Sequence, residues 1–201
     1  MEVILPALAA AASYLVGSIP TALIAARLAG RPDPRTVGTG NAGSTNVALT
    51  VGPAAGIAVL VADLLKGIGC GLGGLVVGGT FLGDTCALAA VVGQIAPVFA
   101  GFRGGKGAAT TLGGYIGLMP ALAVLGLVTW GIGSLLIRRA VLATVTAVVA
   151  LGFVTIALSE HQLFGIGAAL LTVVAHRADL SAWRRGEMPT ITESLRDNRR
   201  V

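Results

Sequence analysis

The sequence predicts an all-α, polytopic integral membrane protein: a bundle of seven helices with its N-terminus outside and its C-terminus cytoplasmic. Three observations carry this expectation. Hydrophobic residues make up 55% of the chain and charged residues 11%, against about 25% charged in soluble domains, and the mean hydropathy is +0.87. Apolar runs that approach or exceed the length needed to cross a bilayer, about 20 residues, follow one another with short polar breaks. Lys and Arg collect in alternate breaks, as cytoplasmic loops require. The 30 glycines supply small helix faces that pack closely in lipid. The net charge of +5 fits basic cytoplasmic loops. No basic-aromatic interleaving of the kind single-stranded nucleic acid needs is present, so no nucleic-acid partner is expected.

The first apolar run, Val3–Leu28, has no basic segment before it and reads as a retained span, not a cleaved signal. A polar loop follows, with Arg27, Arg31, Asp33 and Arg35, and continues to about Thr50. Val51–Gly79 is the second run and contains Asp63 and Lys66. Leu82–Phe102 is the third, after a Gly-Thr-Phe-Leu-Gly-Asp turn. The block Ala108–Ile137 is long for one span and short for two, and Pro120 marks a break near its middle. Charge decides between the two readings. Split at Pro120, the chain places Arg27–Thr50, Arg103–Lys106, Arg138-Arg139 and the tail on one side. Only Glu2, Asp84, Glu160 and His161 face the other. Left whole, the block would put Arg138-Arg139 on the wrong side. Ala140–Leu158 and the short Gln162–Ala175 complete seven spans. Residues 1–180 form the membrane domain and 181–201 a cytoplasmic tail. Cys70 and Cys86 sit in apolar stretches without metal-spaced partners and read as packing residues. Trp130 and Trp183 read as packing or interfacial anchors.

Three polar clusters share the cytoplasmic side. Gly38–Val47 combines glycines with Thr39, Asn41, Ser44, Thr45 and Asn46, side chains suited either to line a site or to make an ordinary interhelical loop. Gly101–Thr110 sets Arg103 and Lys106 among four glycines before a helix start, an arrangement suited to phosphate; a flexible basic turn is the plainer alternative. His176-Arg177-Ala178-Asp179 ends the last span, with His176 available for acid–base work or simply capping the helix. Asp63 and Lys66, at i and i+3, share a helix face within a span. They form either a structural ion pair or part of a polar site. His161 lies in the opposite turn and carries no expected role. Together the clusters suit an anionic, water-soluble substrate meeting a lipid-like one.

Along nearly its whole length the chain resembles the bacterial PlsY family, acyl-phosphate:glycerol-3-phosphate acyltransferases. The resemblance rests on Gly17-Ser18-Ile19-Pro20, on Gly38–Val47, on Asp63-x-x-Lys66-Gly67, on Arg103–Thr110 and on His176–Leu180, five motifs in order. It implies a seven-helix fold with cytoplasmic loops in a bacterial inner membrane. It also implies transfer of a fatty acyl group from acyl-phosphate to the primary hydroxyl of glycerol 3-phosphate, giving lysophosphatidic acid and phosphate. The donor is already a mixed anhydride, so no cofactor, metal or covalent enzyme intermediate is implied. By the resemblance, Thr39, Lys106 and His176 form the catalytic set. Asn41, Asn46, Asp63, Lys66, Arg103, Gly104, Gly105, Thr110, Arg177 and Asp179 bind substrates, with the Gly104 and Gly105 amides on phosphate.

Four positions depart from the family pattern: Thr39 for Ser, Leu49 for Arg, Gln94 for His and Asp179 for Asn. Leu49 removes a phosphate ligand. Asp179 adds a negative charge beside an anionic substrate unless Arg177 or Arg184 neutralises it. Two other readings therefore stand beside the acyltransferase: a paralogue acting on a different phosphorylated substrate, and a catalytically silent membrane binding protein.

Overall fold

The computed structural model describes residues 4–188. Every regular element among them is helical. The chain divides after Pro120 into two compact units.

In the first unit, α1 (Ile4–Gly17) and α2 (Thr21–Leu28) are the two halves of the first apolar run. They separate because Pro20 has no N–H to give and disfavours helical backbone at Ile19. Next, α3 (Ser44–Thr50) lies inside the polar loop. The long helix α4 (Pro53–Ile95) contains non-helical backbone at Gly78 and Gly79. Gly79 has φ +73°, a conformation that glycine adopts without a Cβ penalty. The break folds α4 into two limbs, 53–77 and 80–95. They run back along each other, with Gly71 against Ala87 and Gly74 against the Leu82 carbonyl. The turn is thus two residues wide and earlier than the expected Gly79–Asp84. Asp84, expected in a loop on the outer side, sits instead within the second limb, 1% exposed. A 3-10 turn (Val98–Ala100) and the short α5 (Ala108–Leu118) follow.

Small residues set the packing of this unit. A Cβ on Gly17 would run into the Ala90 carbonyl, and one on Gly93 into that of Tyr14, so α1 lies directly on the second limb. A Cβ on Gly67 would strike the Thr110 carbonyl, and one on Gly113 that of Leu64, so α5 lies on the first limb. Ala22, Ala42, Val47 and Val59 form a buried cluster that seats α2, the polar loop and α3 on α4. Cys70 is half-buried and Cys86 buried, both as free thiols.

In the second unit, α6 (Pro120–Ile137) begins at the proline expected to split the block, a residue well suited to a first helical turn. α7 (Ala140–Leu158), α8 (Gln162–Ala175) and α9 (Arg177–Arg184) complete it. Gly126 of α6 faces the Leu151 side chain of α7, and Gly165 of α8 faces Thr155. The Trp130 indole N–H donates to the Thr144 hydroxyl at 3.0 Å, tying α6 to α7. The tail expected from residue 181 opens within α9, and residues 189–201 lie outside the described residues.

Among the described residues, four helical stretches are long and apolar enough to cross a membrane: Ile4–Leu28, Pro53–Ala100, Pro120–Ile137 and Ala140–Leu158. The pair α8–α9, bent by 57°, makes a fifth if it forms one span. α5, expected as the fourth of seven spans, has 11 residues, about half the length of a full span.

Replacing Gly113 with Val is expected to lever α5 off the first limb and destabilise the protein by about 1–3 kcal/mol, the usual cost of overpacking. Thermal unfolding in detergent checks this. Gly69→Ala, with open space around its Cβ position, is the control and should leave the midpoint unchanged or slightly raised.

Candidate active site

The polar loop is built around Asn46. This side chain is 1% exposed at the start of α3. Its amide nitrogen donates to the carbonyls of Pro34 (2.6 Å), Asn41 (3.0 Å) and Val37 (3.1 Å), and its oxygen accepts the Thr39 N–H at 2.8 Å. Both ends of the amide are committed to loop backbone. Asn46 therefore shapes the loop from beneath and does not line the site as expected. Gly38 and Gly40, at φ +59° and +70°, supply the left-handed backbone that the loop needs. Thr39 is left exposed on top and Asn41 half-buried.

Arg35 joins this loop to the next one. Its guanidinium forks onto Asp33, with Nη2 to Oδ2 at 2.6 Å and Nε to both oxygens at 3.0 Å. Its Nη1 donates to the carbonyls of Ala100 (2.9 Å) and Arg103 (3.3 Å). Hydrogen bonding from Arg35 holds the Asp33 carboxyl below its ordinary range, against a smaller opposing effect of burial. The same pair raises Arg35. Sequence reasoning missed this strut. Its signal was the Asp33-Pro34-Arg35 spacing, which offers a bidentate partner two residues away. Leu49, where the family pattern has arginine, lies exposed on α3.

The basic loop contradicts one expectation directly. The Gly104 N–H donates to the Ile95 carbonyl and the Gly105 N–H to the Gln94 carbonyl, each at 3.1 Å. Neither amide is available to a phosphate. These residues are glycines because the chain passes so close to its neighbours. A Cβ on Gly104 would run into the Gln94 carbonyl, and one on Gly105 would lie 2.8 Å from the Ala42 carbonyl. The amides suited to an anion belong instead to the first turn of α5. That helix starts after Gly107 (φ +73°) with no side chain capping it, so its N-terminal N–H groups lack helical partners. Thr110, in that turn, is fully buried, and no partner for its hydroxyl is found among the described residues. Lys106 is half-buried beside the turn and Arg103 is exposed.

Asp63 and Lys66 do pair, at 2.8 Å, and both are buried. Lys66 Nζ also donates to the Gln94 side-chain oxygen at 2.7 Å and the Ile19 carbonyl at 2.6 Å. The other Asp63 oxygen accepts from the Gln94 amide nitrogen at 2.9 Å, and the first also accepts the Thr21 hydroxyl at 2.7 Å. Three close acceptors match the three ammonium protons. Asp63 and Lys66, expected to bind substrate, thus have their polar atoms committed within the fold. Above this network lies a pocket whose walls include Ile19, Pro20, Leu23 and Pro97, with Gln94 and Arg103 also lining it.

In the second unit, His176 ends α8 and is 3% exposed. Its Nδ1 lies 2.8 Å from the Thr172 carbonyl. A carbonyl only accepts, so Nδ1 carries the proton. Arg177 is exposed and donates to the Val174 carbonyl at 3.1 Å. Asp179 is half-buried in α9.

Comparison with known proteins agrees with this architecture. The glycerol-3-phosphate acyltransferase family profile matches residues 7–186. The chain belongs to this family. Relatives named glycerol-3-phosphate acyltransferase include one from Thioalkalivibrio sulfidiphilus, 36% identical over 199 residues, covering 94% of this chain and 95% of the relative. Another, from Anaeromyxobacter dehalogenans, is 41% identical over 194 residues, covering 92% and 96%. Among solved structures, the crystal structure of PlsY (YgiH), described as an integral membrane glycerol 3-phosphate acyltransferase in its glycerol 3-phosphate form, superposes with a TM-score of 0.86. It is 30% identical and covers 92% of this chain and 94% of that one. The lysophosphatidic acid form matches with a TM-score of 0.84 at 29% identity, covering 94% and 98%. The resemblance carried by the five motifs is thereby confirmed, including for a chain that departs at Thr39, Leu49, Gln94 and Asp179.

Asn46→Ala is expected to unpin the loop and destabilise the protein by about 1–3 kcal/mol, since buried loop carbonyls and the Thr39 N–H lose their partner. Limited proteolysis should then cut within residues 34–43. The lowered Asp33 carboxyl stabilises the loop above its unfolded value, near pH 4, and that contribution fades as pH falls through the still lower folded value. The unfolding midpoint of the parent should therefore exceed that of Asp33→Asn by a constant margin between pH 7 and about pH 5. Below about pH 4 the margin should shrink.

Proposed function

We propose that this protein transfers a fatty acyl group from acyl-phosphate to the primary hydroxyl of glycerol 3-phosphate. The carrying observation is the family match over residues 7–186, in a chain whose basic loop, with Arg103 and Lys106, leads into the uncapped first turn of α5. Cations and the N-terminal amides of a helix suit the donor's phosphate. The acceptor hydroxyl oxygen attacks the acyl carbon, and the bond from that carbon to the phosphate oxygen breaks. The hydroxyl proton leaves with the phosphate, so the donor serves as its own base. The products are lysophosphatidic acid and inorganic phosphate.

The protein's task is then placement and charge stabilisation. Arg103, Lys106 and the first-turn amides of α5 hold phosphate oxygens. The Thr39 hydroxyl and the Asn41 amide border the reacting groups from the polar loop. Thr110 directs its buried hydroxyl to the same anion. His176, with its proton on Nδ1, orients the acceptor or stabilises developing charge. Arg177 offsets Asp179. Seven membrane passages, an outer N-terminus and a cytoplasmic site follow from the segregation of Lys and Arg, and the resemblance to the family implies the bacterial inner membrane. In that count both limbs of α4, and α5 as well, are separate passages.

The test supplies purified protein in lipid with palmitoyl-phosphate and glycerol 3-phosphate, and follows phosphate release and lysophosphatidic acid together. Parent protein should form both in equal amounts. Lys106→Ala and His176→Ala should each lower turnover roughly 100-fold or more while still folding. A folded parent that makes neither product, but is stabilised against heat by glycerol 3-phosphate, would instead support the silent binding protein.

A further inference from the structure

Gln94 occupies an unusual junction. Its side chain is held at both ends by the first limb of α4: it donates to Asp63 at 2.9 Å and accepts from Lys66 at 2.7 Å. Its own carbonyl accepts the Gly105 N–H, and the next carbonyl, Ile95, accepts the Gly104 N–H. One residue therefore connects the buried ionic network to the returning arm of the basic loop. Arg103 immediately precedes that arm and lines the same pocket as Gln94. On its other side the Arg103 carbonyl is held by Arg35. Gln94 is also next to last in α4, where a helix frays unless something holds it. A buried ion pair is a weak stability device, but it fixes the direction of each partner.

We propose that Gln94, clamped between Asp63 and Lys66, is a positioning residue that sets the reach of Arg103 to the phosphate of the substrate. The inference rests on the acyl-transfer reading above for its substrates. It makes a separate claim, however: the phosphate contact of Arg103 depends on a side chain that touches no phosphate. An amide can play this part because it donates and accepts at once, as the two clamp partners demand. A neutral imidazole can do the same from its two nitrogens. An alanine can do neither.

The experiment is a mutant cycle on the full chain in lipid, comparing parent, Gln94→Ala, Arg103→Ala and the double variant. KM for glycerol 3-phosphate and for palmitoyl-phosphate, kcat, thermal midpoint and heat protection by glycerol 3-phosphate are all measured. Gln94→Ala should raise KM for one of the two phosphate substrates about tenfold, with kcat changed less than about threefold. In the Arg103→Ala background the same substitution should add less than about twofold to that KM, because the group it positions is gone. Gln94→His should restore most of the parent KM. Thr21→Val, which removes only the hydroxyl on Asp63, should shift KM in the same direction by less, and covers the case in which Gln94→Ala does not fold. Equal KM effects of Gln94→Ala in both backgrounds overturn the proposal. So does a lowered midpoint with both KM values unchanged. A parent that makes no product but is protected by glycerol 3-phosphate overturns the acyl-transfer reading alone. The protection constants of the four proteins then report the same coupling. A parent neither active nor protected overturns both.

Discussion

A lysine ammonium buried among apolar helices is the constraint on which the first unit depends. Lys66 is 6% exposed, and an unpaired charge there would be costly in a membrane protein. Three acceptors meet it, from three different parts of the chain: Asp63 on its own helix, Gln94 on the opposite limb and the Ile19 carbonyl at the break between α1 and α2. To satisfy it, the two limbs of α4 must close on each other in one register. The first apolar run also opens at Ile19–Pro20, where the Ile19 carbonyl accepts from Lys66 as well as from the Thr21 N–H. The hairpin turned at Gly78-Gly79 and the first span broken at Pro20 meet at one set of hydrogen bonds.

The close helix contacts make this possible. Gly17, Gly67, Gly93 and Gly113 bring backbones together where no side chain fits, so α1 and α5 flank the hairpin directly. The loops continue the same logic. Gly104 and Gly105 lie against backbone carbonyls and donate to two of them, and Asn46 gathers the loop carbonyls that no helix serves. The polar atoms that look most suited to a ligand in these motifs are largely committed to holding the loops. At the edges of this frame lie the exposed Arg103 and the uncapped first turn of α5.

Two kinds of residue were hard to read from sequence. Asp84 looked like a loop residue because it follows a glycine-rich turn, yet the turn needs only Gly78 and Gly79, and helix resumes at once. Asn46 and the Gly104-Gly105 pair looked like ligand residues because motif composition does not distinguish an amide that binds substrate from one that binds its own chain. The Asp33–Arg35 fork was within reach of local spacing. Its attachment to Ala100 and Arg103, 65 and 68 residues away, was not.

The sequence alone determined the membrane class, the helical fold, the break at Pro120, the family and the shared helix face of Asp63 and Lys66. Each depends on composition, local periodicity or residues within one helical turn, and these act over short stretches of chain. The tertiary structure alone decided that Gln94 completes that pair and that Thr21 and Ile19 join it. It also decided that two motif glycines and Asn46 serve the fold. Those choices depend on which backbone groups are left without partners once the helices are packed, and that is a property of the assembled fold.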